Sequence, residues 1–236
     1  MSWARIFCAV CLIFLYGCDN ASQDIQSTAE VSLSRNAQDS SGTKNQAPQD
    51  VPSDPSAHKP NANGFKPFYV YKDKGARVNH YTPSGFMGDW KCIDFNDRWQ
   101  DSCQQGDTCI RVDYDIQCSA QNQRWAGIYW LNPPNNWGNR KGGFDLTGAQ
   151  RLVFWAKGAQ GGEQIQEFTV GGIGNNFPDS ETIVIGPVIL SSVWRKYTID
   201  LRGKDLSYIS GGFAWTTSQE VNPMACTFYL DNIRFE

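Results

Sequence analysis

The chain has 236 residues, with 21 basic and 24 acidic side chains and a formal net charge of −3. That mildly acidic balance, with no basic stripe, excludes the electrostatic footprint of a nucleic-acid binder. Aromatic residues make up 13% of the sequence and eight cysteines are present, the composition of a packed, oxidised domain rather than of a disordered chain.

In chain order, Arg5 precedes an apolar run, 6–16, that is too short to span a membrane comfortably as a permanent helix. It ends in Leu15-Tyr16-Gly17-Cys18. This tetrapeptide resembles the lipobox of bacterial lipoproteins, and residues 1–18 read as that signal. The resemblance implies cleavage before Cys18, acylation at Cys18 and a place in the bacterial cell envelope, lipid-anchored at the periplasmic face or the cell surface. Each buried acyl methylene would add about 0.8 kcal/mol to the membrane anchorage. The plainer alternative is an ordinary secretory signal with an incidental cysteine.

Residues 19–64 are Ser, Asn, Gln, Asp, Ala and Pro with almost no aromatics. Such a segment buries too little apolar surface to offset its ordering entropy, so it reads as a disordered tether. A coil of this length spans roughly 35–40 Å.

Residues 65–236 form the folded part. Short alternating runs rich in β-branched and aromatic residues recur between Gly, Pro and Asn clusters, with no long period of 3.6. Strands are expected near 68–73, 90–95, 108–116, 126–131, 151–157, 164–170, 181–189, 194–200, 211–216 and 227–235. This pattern predicts an all-β, two-sheet antiparallel sandwich.

Several residues along this part carry candidate chemistry. Asp73 closes the first strand in Y-K-D-K-G, and Asp89 lies in S-G-F-M-G-D-W. His80 is a lone histidine near a turn, for which a structural hydrogen bond is expected. Cys92, Cys103, Cys109 and Cys118 fall close together, so two disulfides are expected among them, with three connectivities open. Cys226 is then the odd cysteine, expected as a buried free thiol at a strand start.

The run from Trp125 to Arg140 sets Trp125, Tyr129, Trp130 and Trp137 beside Asn132, Asn135, Asn136 and Arg140. Sugar rings lay their C–H faces on aromatic rings, while their hydroxyls pair with amides, carboxylates and guanidinium groups. Tyr129 and Trp130 point to opposite faces of a strand, so one of the two belongs to the core. Further on, E-Q-I-Q-E places Glu163 and Glu167 on one face if the run is a single strand. It resembles the Glu-x-Asp-x-Glu strand of jelly-roll retaining glycosidases, with Ile165 where the central Asp would stand. That resemblance implies a catalytic pair, Glu163 and Glu167, which retaining hydrolysis holds about 5–5.5 Å apart. The alternative is two hydroxyl-binding or solvated acids.

The chain closes on W-R-K-Y-T-I-D-L, G-G-F-A-W with Trp215, and F-Y-L-D-N-I-R-F-E, where Asp231 and Asn232 interrupt an apolar alternation. This ending resembles that of galactose-binding-like jelly-roll carbohydrate-binding modules. The resemblance implies a sandwich whose terminal strands are neighbours, and a structural calcium ion served by Asp73 and Asp231, with Asp89 a further ligand. The resulting expectation is a non-catalytic carbohydrate-binding lipoprotein. Its partners are an oligo- or polysaccharide and, through the lipid, a membrane, with no nucleic acid. Trp125, Tyr129, Trp137, Glu167 and Trp215 are the expected ligand-binding residues. The alternatives are a glycosidase or polysaccharide lyase using Glu163 and Glu167, and a structural envelope lipoprotein whose aromatics fill one dry core.

Overall fold

In a computed structural model, residues 64–224 and 226–236 are described. The signal with Cys18 and the tether as far as residue 63 lie outside them. The described residues form thirteen strands and one short 3-10 turn. In order these are β1 (Phe68–Tyr71), β2 (Thr82–Gly88), β3 (Ile93–Trp99), β4 (Cys109–Tyr114), β5 (Trp125–Leu131), β6 (Arg151–Gly158), β7 (Gln164–Ile165), β8 (Glu167–Gly171), β9 (Thr182–Ile185), β10 (Val188–Ile189), β11 (Arg195–Asp200), β12 (Gly211–Ser218) and β13 (Cys226–Phe235).

Two large antiparallel sheets result, beside a small one in which β7 pairs with β10. Sheet A runs β11-β6-β13-β4-β3, with β1 also on β13; sheet B runs β2-β5-β12-β8-β9. The expected sandwich is therefore the fold. The alternation read from the sequence is what turns Phe154, Phe228 and Leu230 of sheet A inward to meet Trp130, Phe168, Phe213 and Trp215 of sheet B. Trp215 meets Phe228 edge-on at 5.0 Å and Phe154 meets Phe168 at 4.6 Å. Fully burying each such aromatic contributes roughly 1.5–3 kcal/mol.

One strand escaped the sequence reading. T-P-S-G-F-M-G forms β2, although it holds a proline and two glycines and reads as a turn. It is the edge strand of sheet B, paired to β5 alone with its register shifted between Pro83 and Gly85. An edge is where a strand tolerates a residue without an N–H. The expected strand at 90–95 begins later, at Ile93, because Trp90–Cys92 form the 3-10 turn. The expected strand at 164–170 is broken at Gln166 into β7 and β8.

The four clustered cysteines pair as Cys92–Cys118 and Cys103–Cys109, and Cys226 is free and buried. Burial pushes the Cys226 thiol up to about 12, and the nearby Glu163 and Asp113 add to this. It is thus a neutral packing group.

Candidate functional site

The outward face of sheet B is defined by register. Tyr129 of β5 lies opposite Gly85 on one side and Ala214 on the other; Ala214 faces Thr169, which faces Val184. The next row is Met87, Gly127, Thr216 and Glu167. Beyond it, Trp125 lies opposite Ser218. Gly85, Gly127, Ala214 and Thr169 point away from the core and yet are buried, so the middle of this face is a recess floored by small residues.

Aromatics stand at both ends of that floor. Tyr129 is half-buried, and its hydroxyl donates to the Gly171 carbonyl at 3.1 Å. Trp137, on the loop after β5, packs against it. Glycine at 85 makes this possible: a methyl there would fall 2.7 Å from Tyr129 Cβ and 3.0 Å from the Trp137 ring. The loop itself is tied down from β8's side, where Asn175 Nδ2 donates to the Trp137 carbonyl at 2.6 Å. Burial raises the Tyr129 phenol to about 12, and the charges of Asp179 and Glu167 add to this, so it stays a neutral donor. Asp179, not singled out in the sequence, fixes the corner: it accepts from Ser210 N and Oγ at 2.5 and 2.6 Å and from Ile173 N and Gly211 N, each at 3.1 Å.

Four residues along β5, about 13 Å from Tyr129, Trp125 borders a recess of about 600 Å³ lined also by Gln123, Arg124, Gln166, Ser218 and Glu220. Ser218 is 6% exposed, and its Oγ finds no hydrogen-bond partner among the described residues. Two amides, a guanidinium, a carboxylate and an unpaired hydroxyl around a half-buried indole can bind a polyhydroxylated ring by stacking and hydrogen bonding together. These polar residues were missed because they come from three separate segments that only the sheet brings together.

Other expectations need correction. Trp215 is fully buried in the core and faces sheet A, so it cannot meet a ligand. Trp130 is likewise core. Asn132 and Asn136 serve the backbone: Asn132 Nδ2 donates to the His80 carbonyl, before β2, and Asn136 Nδ2 to the Arg140 carbonyl in its own loop. His80 stacks on Phe68 at 3.8 Å, within an aromatic cluster. The E-Q-I-Q-E acids do not share a strand face, because the break at Gln166 reverses the alternation. Ile165 points into the core while Glu167 is exposed on sheet B. Glu163 is buried over Gly158, accepts from Gln160 N at 2.7 Å and lines a separate recess with Asn222 and Met224.

The candidate cation site lies at the other sheet. In β13 the register shifts between Asp231 and Arg234, with Asn232 at φ 49°, a bulge that explains the interrupted alternation. It leaves Asp231 pointing outward, where its Oδ2 accepts from Gln104 N and Gln105 N, both at 2.9 Å. Its buried Oδ1 has no partner among the described residues. Asp73 accepts from Asp107 N and Thr108 N in the same 103–109 loop, at 2.7 and 3.0 Å. Burial lifts the Asp231 carboxyl to about 6 despite those amides, and the like charge of Asp73 raises it further. Asp231 and Asp73 thus both brace the 103–109 loop, and one carboxylate oxygen of Asp231 is left over. Among the described residues no group of three or more His, Cys, Asp or Glu could hold a metal. Asp89 is not a ligand: both its oxygens are taken by the backbone N–H groups of Gln121, Gln123 and Arg124.

No protein-family model matches the chain, and neither does any curated protein. Solved structures that it resembles include carbohydrate-binding modules. A family 30 module of a cellulosomal cellulase of Clostridium thermocellum is 14% identical over 72% of this chain and 97% of its own, with a TM-score of 0.49. A family 11 module from the same organism, in complex with a β-1,3-1,4-mixed-linked tetrasaccharide, is 14% identical over 69% of this chain and 92% of its own, at 0.42. A family 29 module is 10% identical over 72% of this chain and 87% of its own, at 0.42.

Proposed function

We propose that this protein binds carbohydrate without cleaving it, on the outward face of sheet B, and is held in a bacterial envelope by lipid on Cys18. The observation that carries the reading is the recess beside Trp125, where an indole, two glutamines, an arginine, a glutamate and an unpaired serine hydroxyl converge. Tyr129 and Trp137 extend the same face, so the ligand is longer than one sugar ring. Glu167 offers a carboxylate to hydroxyls along the way. A structural calcium ion at Asp73 and Asp231 belongs to this proposal; it would complete the orphaned Asp231 oxygen and secure the 103–109 loop away from the glycan site.

The test is a glycan array probed with the full chain and its Trp125→Ala variant, with a reducing-sugar assay on every hit. Binding that depends on Trp125 and yields no product supports the reading. Product formation would move it to the enzymes, and a broad array without a hit would leave the structural envelope role.

A further inference from the structure

The outward face of sheet A, on the far side of the sandwich, carries a second arrangement. Register places Tyr229 of β13 between Arg111 of β4 and Lys157 of β6, and Arg111 lies opposite Asn96 of β3. Trp99, beyond the β3 irregularity, and Trp194, just before β11, stand at the ends of this row. The five side chains form a ladder in which rings and cations alternate. The Arg111 guanidinium sits 4.6 Å from the Trp99 ring, and Lys157 Nζ lies 4.8 Å from Tyr229 and 5.1 Å from Trp194. Both indoles are held by the loop after β3, since Trp99 Nε1 donates to the Asp101 carbonyl and Trp194 Nε1 to the Ser102 carbonyl, at 2.9 and 2.8 Å.

We propose that this ladder binds an anionic polysaccharide. The rings hold both cationic stems in place, so little side-chain freedom is lost when an anion arrives. Among the described residues Lys157 forms no ion pair, and Arg111 shares its charge with Asp113 at 2.9 Å. In the adjoining row Lys196 lies opposite the half-buried Trp155, which faces Asp231 on its other side. The cations thus stand in a row flanked by Asp231 on one side and by Asp94 and Asp113 on the other. Lys157 and Arg111 are two strands apart, about 9–10 Å. Acidic side chains on one face of an extended peptide recur every 6.6 Å or so, which misses that spacing. A polynucleotide is disfavoured twice. Its charges are far denser than the spacing of these cations. The faces that bases would stack on are also already covered by cations. A sugar chain with an acid on alternate rings satisfies the spacing.

The experiment is affinity electrophoresis of the full chain in gels containing hyaluronan, dextran sulfate or uncharged dextran, with a single-stranded oligonucleotide as competitor. Retardation by hyaluronan identifies carboxylates as the ligand, and retardation by dextran sulfate identifies sulfates. An Arg111→Gln/Lys157→Gln double variant is expected to weaken either by at least about tenfold, while Trp125→Ala leaves them unchanged. That separates this surface from sheet B, whose failure would not touch it. No retardation of the wild type by either polyanion overturns the proposal. So does equal retardation of the double variant, or displacement by the oligonucleotide at concentrations below those of the polysaccharides.

Discussion

The Trp137 indole stands edge-on to the Tyr129 ring, with centroids 5.8 Å apart and planes at 82°. The contact fixes a loop tryptophan over the sheet at the position where Gly85 leaves room for it. An aromatic otherwise free to swing with its loop is thereby presented in one orientation, which lowers the entropic cost of binding.

Trp137→Ala and Trp125→Ala should each weaken glycan binding by roughly tenfold, the loss of one stacking face, with little change in melting temperature. Trp215→Ala should do the reverse as its first effect: a buried cavity costing about 3–5 kcal/mol. Calorimetric titration beside thermal melts separates the two patterns. A Trp125→Ala variant with undiminished affinity would remove that recess from the site.

Asp89 should matter for stability, and its loss should show in acid. Burial alone would raise this carboxyl, but the backbone N–H groups of Gln123, Arg124 and Gln121 outweigh it, and it titrates below the ordinary 3.8. Because the folded value is the lower one, its stabilisation is complete above 3.8 and lost as pH falls through the folded value. Asp89→Ala strands several N–H groups and should cost at least about 2 kcal/mol at neutral pH. The difference between variant and wild type in urea unfolding should shrink below pH 3.8.

Calcium should raise the melting temperature, and a chelator should reverse it. At a concentration a hundred times Kd the stabilisation is about 2.7 kcal/mol. Asp231→Asn should abolish the shift, because the orphaned oxygen would no longer carry charge. A melting temperature indifferent to calcium in the wild type would refute the metal.

The two disulfides should differ in worth. Cys92–Cys118 closes a separation of 26 residues and Cys103–Cys109 one of 6. Chain-entropy arguments give about 3.5 and 2.2 kcal/mol. Paired Cys→Ser variants compared by denaturant unfolding test the order. The larger loop also carries β3 and β4 and ends just before the amides that grip Asp89.

The all-β architecture was legible because aromatic and β-branched residues alternate over most strands. Legibility failed where backbone geometry overrides pattern. The proline and glycines of β2 fit an edge, the break at Gln166 turned Glu167 away from Glu163, and Trp215 alternates as well inward as outward until its sheet is placed. The sequence indicated which aromatics lie near amides. It could not show that Asn132 and Asn136 are consumed by backbone carbonyls, or that Gln123, Gln166 and Ser218 gather around Trp125. Those facts depend on strand order in sheet B, which no local run of residues encodes.

β13, which follows every other strand in sequence, sits in the interior of sheet A and pairs with β1, β4 and β6. Until it emerges, β4 and β6 have no shared neighbour and Trp215 has no Phe228 to meet. Sheet A therefore gains its central pairings only when β13 is in place. One bulged strand thus holds together both halves of sheet A and the face against which sheet B packs.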